Sequence, residues 1–374
     1  MDMKFTVEKN LLQSAVVTAS RVSAVKSAVP ALEGLLIEAS GGNVKISGYD
    51  LKTGIITTVP ADVISEGSIV LSARLFGDII RKLPDNIVSF SADENLTSKI
   101  ECGMSEFQIL GTSSADYPDL PTVDYQKSLT LTEKNLKNMI AQTNFAVSDN
   151  ESRPIHTGAL FEAENGTLTI VAIDGFRLAL RREQLSKSEP SPLSFVVPGT
   201  ALSEVEKILA DSDNPVSVML GSKHIMFVIS GTVLISRRLE GEFYNYKITL
   251  QHVEKYRLIA DRRAVVDAVE RVSLIISDKL KSPVRCTFDD GVLKLLSSTA
   301  LGRASDECPV KGDGEGLEIG FNNRYLLEAL KAAPADTIQF NISSGISQCT
   351  IVPADGSNNF LYMILPVRLK ANEG

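Results

Sequence analysis

Few side chains in this chain are placed to do chemistry. The 374 residues include three histidines, His156, His224 and His252, far apart, none beside a cysteine and none in an HExxH spacing. That excludes the common zinc and metalloprotease patterns. Cys102, Cys286, Cys308 and Cys349 contain no CxxC pair. Their spread argues against a zinc ribbon and a disulfide framework and suits a reducing cytosol. Neither a GxSxG elbow nor a GxxxxGK[ST] phosphate loop occurs. Gly312, Gly314 and Gly316 alternate with Asp313 and Glu315, whose charges would repel phosphate, so this stretch reads as a turn between strands. Asp289-Asp290 precede Gly291 and read as a hairpin turn, not an acid–base pair. The expectation is a protein with no catalytic residues, no metal and no cofactor.

What would these residues be positioned by? Apolar residues make up 44% of the chain and charged residues 22%, enough to bury cores of ordinary size. No apolar run approaches the ~20 residues of a spanning helix. The opening Met1-Asp2-Met3-Lys4-Phe5-Thr6-Val7 alternates like a strand, so no leader is expected. A cytoplasmic protein without membrane contact follows as the expectation. The net charge of −8 excludes a protein basic all over, but not one that gathers positive charge on one surface.

Internal repetition is the strongest signal. Gly34-Leu35-Leu36-Ile37-Glu38-Ala39, Gly158-Ala159-Leu160-Phe161-Glu162-Ala163 and Pro283-Val284-Arg285-Cys286-Thr287-Phe288 are strand-like runs that each end at a turn glycine. Those glycines, Gly42, Gly166 and Gly291, lie 124 and 125 residues apart, and an alternating strand follows each. Amphipathic stretches at 8–22, 132–147 and 261–277 recur in phase, as do second helices at 72–83, 199–210 and 322–333. Pro84 and Pro334 stop two of them. Each unit holds two helices and roughly eight short strands, and proline- and tyrosine-bearing links separate the units. The reading is an α+β chain of three similar domains, 1–124, 125–250 and 251–374, with helices packed on antiparallel sheets. Sheet edges left open could join end to end, and two such arcs could close into a ring. Arg74, Arg81, Lys82 and Lys137 help give the six helices a small positive sum in an acidic chain. Such a lining would hold a phosphate backbone without reading sequence. Ordinary solvated helix faces explain the same difference.

Several segments then carry a specific resemblance. Met3-Lys4-Phe5-Thr6-Val7, Ser113-Ser114-Ala115-Asp116-Tyr117-Pro118, Val171-Ala172-Ile173-Asp174-Gly175-Phe176-Arg177-Leu178-Ala179, Ile319-Gly320-Phe321-Asn322 and Leu365-Pro366-Val367-Arg368-Leu369 together span the chain. In these it resembles the bacterial DNA polymerase III β subunit family, the sliding clamps. The resemblance implies a head-to-tail homodimeric ring with pseudo-six-fold symmetry around duplex DNA, helices inside and sheets outside. It implies partners: the replicative polymerase, the clamp loader, and repair or replication proteins bearing short clamp-binding motifs.

The resemblance also implies sites. A client-peptide groove falls on Ile173, Gly175, Phe176, Arg177 and Leu178, on Met363, Leu365, Pro366, Val367 and Arg368, and on His156, Tyr244 and Ile248. Arg177 and Arg368 are expected exposed, since arginine is rarely buried unpaired. Lys26 and Arg153 match basic positions of the inner surface and join Arg74, Arg81, Lys82 and Lys137 as DNA-facing candidates. Phe107 and Ile109 are expected to meet Ile275 and Ile276 of a partner copy. Leu274-Ile275-Ile276 sets three large apolar residues in a row, which one core-facing stripe cannot bury. The alternatives are a clamp-like peptide scaffold that does not encircle DNA, and a transferase or hydrolase on triplicated domains, which would need a convergent polar cluster.

Overall fold

Three tight turns fix the repeat in space. Gly42, Gly166 and Gly291 have φ of 76°, 75° and 71°, a region that L side chains rarely adopt. Each closes a two-residue loop between antiparallel strands, with Ser40 opposite Asn43, Glu164 opposite Thr167 and Asp289 opposite Val292. In the computed structural model, the described residues are 2–125, 127–185, 192–251, 254–277 and 282–369. His252 and the tail 370–374 lie outside them.

The first third runs β1 (Met3–Glu8), α1 (Lys9–Ser20), β2 (Gly34–Ser40), β3 (Asn43–Tyr49), β4 (Thr53–Pro60), β5 (Asp62–Ser65), β6 (Gly67–Ser72), α2 (Ala73–Lys82), β7 (Ile87–Ala92), β8 (Thr97–Cys102) and β9 (Ser105–Leu110). The middle third runs β10 (Lys127–Thr132), α3 (Glu133–Ala141), β11 (Gly158–Glu164), β12 (Thr167–Ile173), β13 (Arg177–Gln184), β14 (Leu193–Pro198), α4 (Gly199–Ile208), β15 (Pro215–Leu220), β16 (His224–Ile229), β17 (Thr232–Arg237) and α5 (Tyr246–Thr249). The last third runs β18 (Tyr256–Asp261), α6 (Arg262–Ser273), β19 (Val284–Asp289), β20 (Val292–Thr299), β21 (Gly302–Lys311), β22 (Leu317–Phe321), α7 (Asn323–Ala332), β23 (Thr337–Ile342), β24 (Cys349–Pro353) and β25 (Phe360–Ile364). The six expected helices are present, each shorter than its pattern, and α5 is an addition.

Capping explains most helix starts. Asp261 accepts from Ala264 N at 2.7 Å, Asn322 from Arg324 N and Tyr325 N at 3.0 and 3.3 Å, and Thr132 from Asn135 N at 3.2 Å. In α1, Leu12, Ala15, Val16 and Ala19 are buried at helical spacing. They join α2's Phe76, Ile79 and Ile80 in a core with Phe5, Val44, Ile46, Val88 and Phe90. The second expected stretch, 132–147, ends as α-helix at Ala141. Thr143 Oγ1 donates back to Met139 O at 2.7 Å, and a single 3-10 turn at Asn144–Ala146 follows.

By contact density the chain forms two compact units, residues 1–136 with 204–238, and residues 137–203 with 239–374. The first unit contains a five-stranded sheet, β5-β1-β7-β8-β9, and an eight-stranded one, β10-β15-β16-β17-β4-β3-β2-β6. The second contains one sheet of twelve strands, β14-β11-β12-β13-β25-β24-β23-β18-β21-β20-β19-β22. In each unit one strand pair joins sheets from consecutive repeats, β4 with β17 and β13 with β25.

Candidate functional site

The site begins at the turn between β12 and β13. Asp174 Oδ1 accepts from the backbone N–H groups of Phe176 (2.8 Å) and Arg177 (3.0 Å), and Gly175 supplies the φ of 93° the turn requires. The turn throws the Phe176 ring outward, where it is 60% exposed and stacks on Tyr325 with centroids 6.3 Å apart.

Arg177 turns the other way, which corrects the expectation of an exposed guanidinium. It is 4% exposed, but each of its three guanidinium nitrogens has an acceptor. Nε donates to Asp174 Oδ2 (2.9 Å), Nη2 to the Phe145 carbonyl (2.5 Å), and Nη1 to Glu328. Its guanidinium carbon sits 4.4 Å from the Tyr325 ring centroid and 5.4 Å from that of Phe145. Glu328 also accepts from Arg324 Nε at 2.9 Å. Burial pushes the Glu328 carboxyl up, yet the hydrogen bonds from Arg177 and Arg324 outweigh it and hold it below the ordinary value. Around this arginine, reading the sequence missed Asp174, Phe145, Tyr325 and Glu328 as site residues. Asp-Gly at 174–175 and the Asn322 cap were the visible clues to two of the elements involved.

From this turn β13 pairs with β25, Arg177 opposite Ile364 and Leu178 opposite Met363. Leu365 N then donates to the Phe176 carbonyl (2.8 Å), and Val367 N to the Gly320 carbonyl (2.8 Å). A side chain at 320 would stand 2.6 Å from Leu369 Cδ2, so glycine lets the terminal segment lie close. Leu365 and Val367 are left 37% and 36% exposed, and Arg368 is exposed as expected. Pro366, half-buried, interrupts the donors between them.

Beneath this strip Ile173, Leu178 and Met363 are buried in one cluster with Tyr246, and Ile155 and Phe243 pack against it. Ile173 and Leu178 therefore floor the groove more than they line it. Tyr246 on α5 donates to Glu162 Oε2 at 2.5 Å. Burial, with that hydrogen bond, raises its phenol above the ordinary value, so it stays neutral. Tyr244 and Ile248 flank it and are exposed. His156 packs edge-on to Phe243 with centroids 5.6 Å apart, and burial, then Arg153, lowers its imidazole from the ordinary value. A cavity of about 350 Å³ opens beside the strip, lined by Tyr325, Val367, Asn322 and Ile276. Half-exposed apolar side chains over a rigid apolar floor suit a short peptide with large anchors.

The other expected residues lie elsewhere. Lys26, Arg74, Arg81, Lys82 and Arg153 are exposed and Lys137 is half-buried. Arg81 pairs with Asp78 at 2.6 Å. Phe107 and Ile109 lie on β9, an edge strand, with Phe107 37% exposed and Ile109 packed partly on the first core. Of Leu274-Ile275-Ile276, Leu274 is the outward residue at 85% exposure, while Ile275 and Ile276 are half-buried.

Three repeats of two helices on antiparallel sheets, joined strand to strand and carrying a peptide-sized apolar groove, define a clamp-type protein. Three family profiles match in tandem: the DNA polymerase III beta subunit N-terminal domain at residues 3–121, its central domain at 130–245 and its C-terminal domain at 252–368. The beta sliding clamp of Staphylococcus aureus is 32% identical, covering 98% of this chain and 99% of the relative. Among solved structures, the Bacillus subtilis sliding clamp superposes with a TM-score of 0.94 at 29% identity, covering 99% and 100% of the two chains. The Pseudomonas aeruginosa clamp bound to griselimycin gives 0.92 at 25% identity, again over 99% and 100%. The chain belongs to the DNA polymerase III beta subunit family, the bacterial sliding clamps. Its function is that of a processivity clamp in DNA replication.

Proposed function

We propose that two copies close head to tail into a ring around duplex DNA, and that the ring tethers client proteins through the groove at the β13–β25 junction. One observation carries the assembly. β4 pairs with β17 and β13 with β25; among the described residues this leaves β9 bonded only to β8, and β21 free on its outer edge except for two residues paired with β18. Joining β9 of one copy to β21 of the next continues the same pattern and closes it after two copies. Phe107, Ile109, Ile275 and Ile276, with Leu274, supply apolar contact at that joint. Domain boundaries near 124 and 250 follow from this repeat, and the gaps between the matched family profiles support them.

Lys26, Arg74, Arg81, Lys82, Lys137 and Arg153 face the duplex, and their contacts are shallow and salt-screened. Retention is topological, so the chain needs no catalytic centre. No described helix is long and apolar enough to cross a membrane, and a role in replication suits a cytoplasmic ring. Clients include the replicative polymerase, the clamp loader and repair proteins.

The groove is tested with a peptide carrying a glutamine followed by spaced Leu and Phe anchors. Leu365→Ala removes about half of an exposed apolar wall and costs about 1–2 kcal/mol of binding, a five- to thirty-fold loss by calorimetry. Unchanged affinity places the groove elsewhere.

A further inference from the structure

The turn that builds the groove occurs a second time. Asp50 Oδ1 accepts from Lys52 N (2.8 Å) and Thr53 N (2.7 Å), as Asp174 does from Phe176 and Arg177. β4 then pairs with β17, and Arg237 N donates to the Lys52 carbonyl at 3.2 Å, where Leu365 N donates to that of Phe176. Leu51, Lys52 and Arg237 thus stand where Gly175, Phe176 and Leu365 stand in the groove.

At two of these positions an apolar side chain gives way to a cation, Phe176 to Lys52 and Leu365 to Arg237, while Thr53 stands where the buried Arg177 stands. Lys52 and Arg237 are exposed. On the neighbouring strand His224 registers opposite Arg237, and Arg238 N donates to the Lys223 carbonyl at 3.0 Å. Lys52, Lys223, Arg237 and Arg238 therefore gather at one sheet end, and among the described residues none of them makes an ion pair. Arg238 Nε is buried without an acceptor. Asp50 commits one oxygen to the turn, and Asp124, whose backbone lies near Gly221, pairs with none of the four. Burial, then Arg237 and Lys223, keeps His224 neutral near pH 7. Like charges on neighbouring strand ends repel, which an incoming anionic group relieves.

Leu51 supplies a second, independent feature. It is 55% exposed, and its φ of 72° is left-handed, a strained conformation for a residue with a Cβ. Natural turns put Gly or Asn here. An exposed leucine among four cations suits a peptide better than DNA, whose phosphates would make no use of it.

We propose that this hairpin end is a second docking point for partner proteins, taking a linear segment with several carboxylates around one apolar side chain. The occupant's class rests on the peptide reading of the groove, and the test separates the two. The full chain is titrated by fluorescence anisotropy with a short peptide of Asp and Glu around one Leu, with the groove peptide, and with a short DNA duplex. Lys52→Glu with Arg237→Glu weakens the acidic peptide at least about tenfold. Leu51→Gly weakens it about threefold while raising thermal stability, because glycine relieves the turn, so misfolding is excluded as the cause. Neither variant changes groove-peptide affinity. If the groove peptide fails to bind the unmodified chain, the groove reading falls while the acidic-peptide result stands. Unchanged acidic-peptide affinity in either variant, its displacement by the groove peptide, or a charge-reversed variant that loses only duplex binding overturns the proposal.

Discussion

Replacing Arg177 with Met withdraws a guanidinium from between Phe145 and Tyr325 and keeps most of its apolar stem. Asp174 and Glu328 then face each other's side of a largely buried site without their shared cation; their side chains are 12% and 31% exposed. Removing one partner of a buried pair costs about 3–5 kcal/mol. Arg324 still holds Glu328, so the lower end, about 3 kcal/mol, is expected. At about 2–4 °C per kcal/mol for a unit of this size, the calorimetric transition falls by roughly 6–12 °C. The loss carries a pH signature. In the parent, Glu328 titrates below its ordinary value, so its stabilisation is present above the unfolded pKa of about 4.3 and is lost as pH falls through the folded one. In the variant, burial still pushes the carboxyl up and only Arg324 opposes it, so Glu328 titrates higher than in the parent. The gap between the two proteins therefore narrows from pH 7 toward pH 4. A loss below about 1 kcal/mol, or a gap constant across that range, refutes the assignment of Arg177 as an internal clasp.

Replacing Ile275 with Ala and Ile276 with Asp yields folded monomers by sedimentation at sub-micromolar concentration, because a charge is placed in the apolar joint; a persistent dimer means the joint lies elsewhere. Reversing charge at Lys26, Arg81 and Lys82 shortens the residence of loaded rings, and the effect grows as salt is lowered. Arg81 contributes least of the three, since Asp78 already offsets it. Normal processive synthesis by the triple variant over a range of salt shows that these residues do not face the duplex.

Much of this fold is legible in one chain because the repeat is written in glycine. Positive φ at Gly42, Gly166 and Gly291 leaves little choice of residue, so the hairpins announce themselves three times. Helix positions follow from apolar spacing and from Asp261, Asn322 and Thr132 as caps. Their ends do not, because Thr143 closes α3 through its own hydroxyl and no spacing rule reports that. Long-range partners are invisible in the same way. Glu328 lies 151 residues from Arg177, so the arginine reads as a solvent-facing charge until β13 and α7 are brought together. α5, one turn long, has no periodicity to detect, and Tyr246 is missed with it. The joining of β4 to β17 and of β13 to β25 is a matter of register between distant strands, which alternation alone leaves open.

If this clamp holds DNA by enclosing it, retention depends on whether the DNA has free ends. The direct measurement is retention of the loaded protein on circular plasmid, before and after the plasmid is cut once, followed by gel filtration in moderate salt. Enclosure predicts that protein stays with the circle and runs off the linear form within the time of the column. Equal retention on both forms, or equal loss from both, contradicts it.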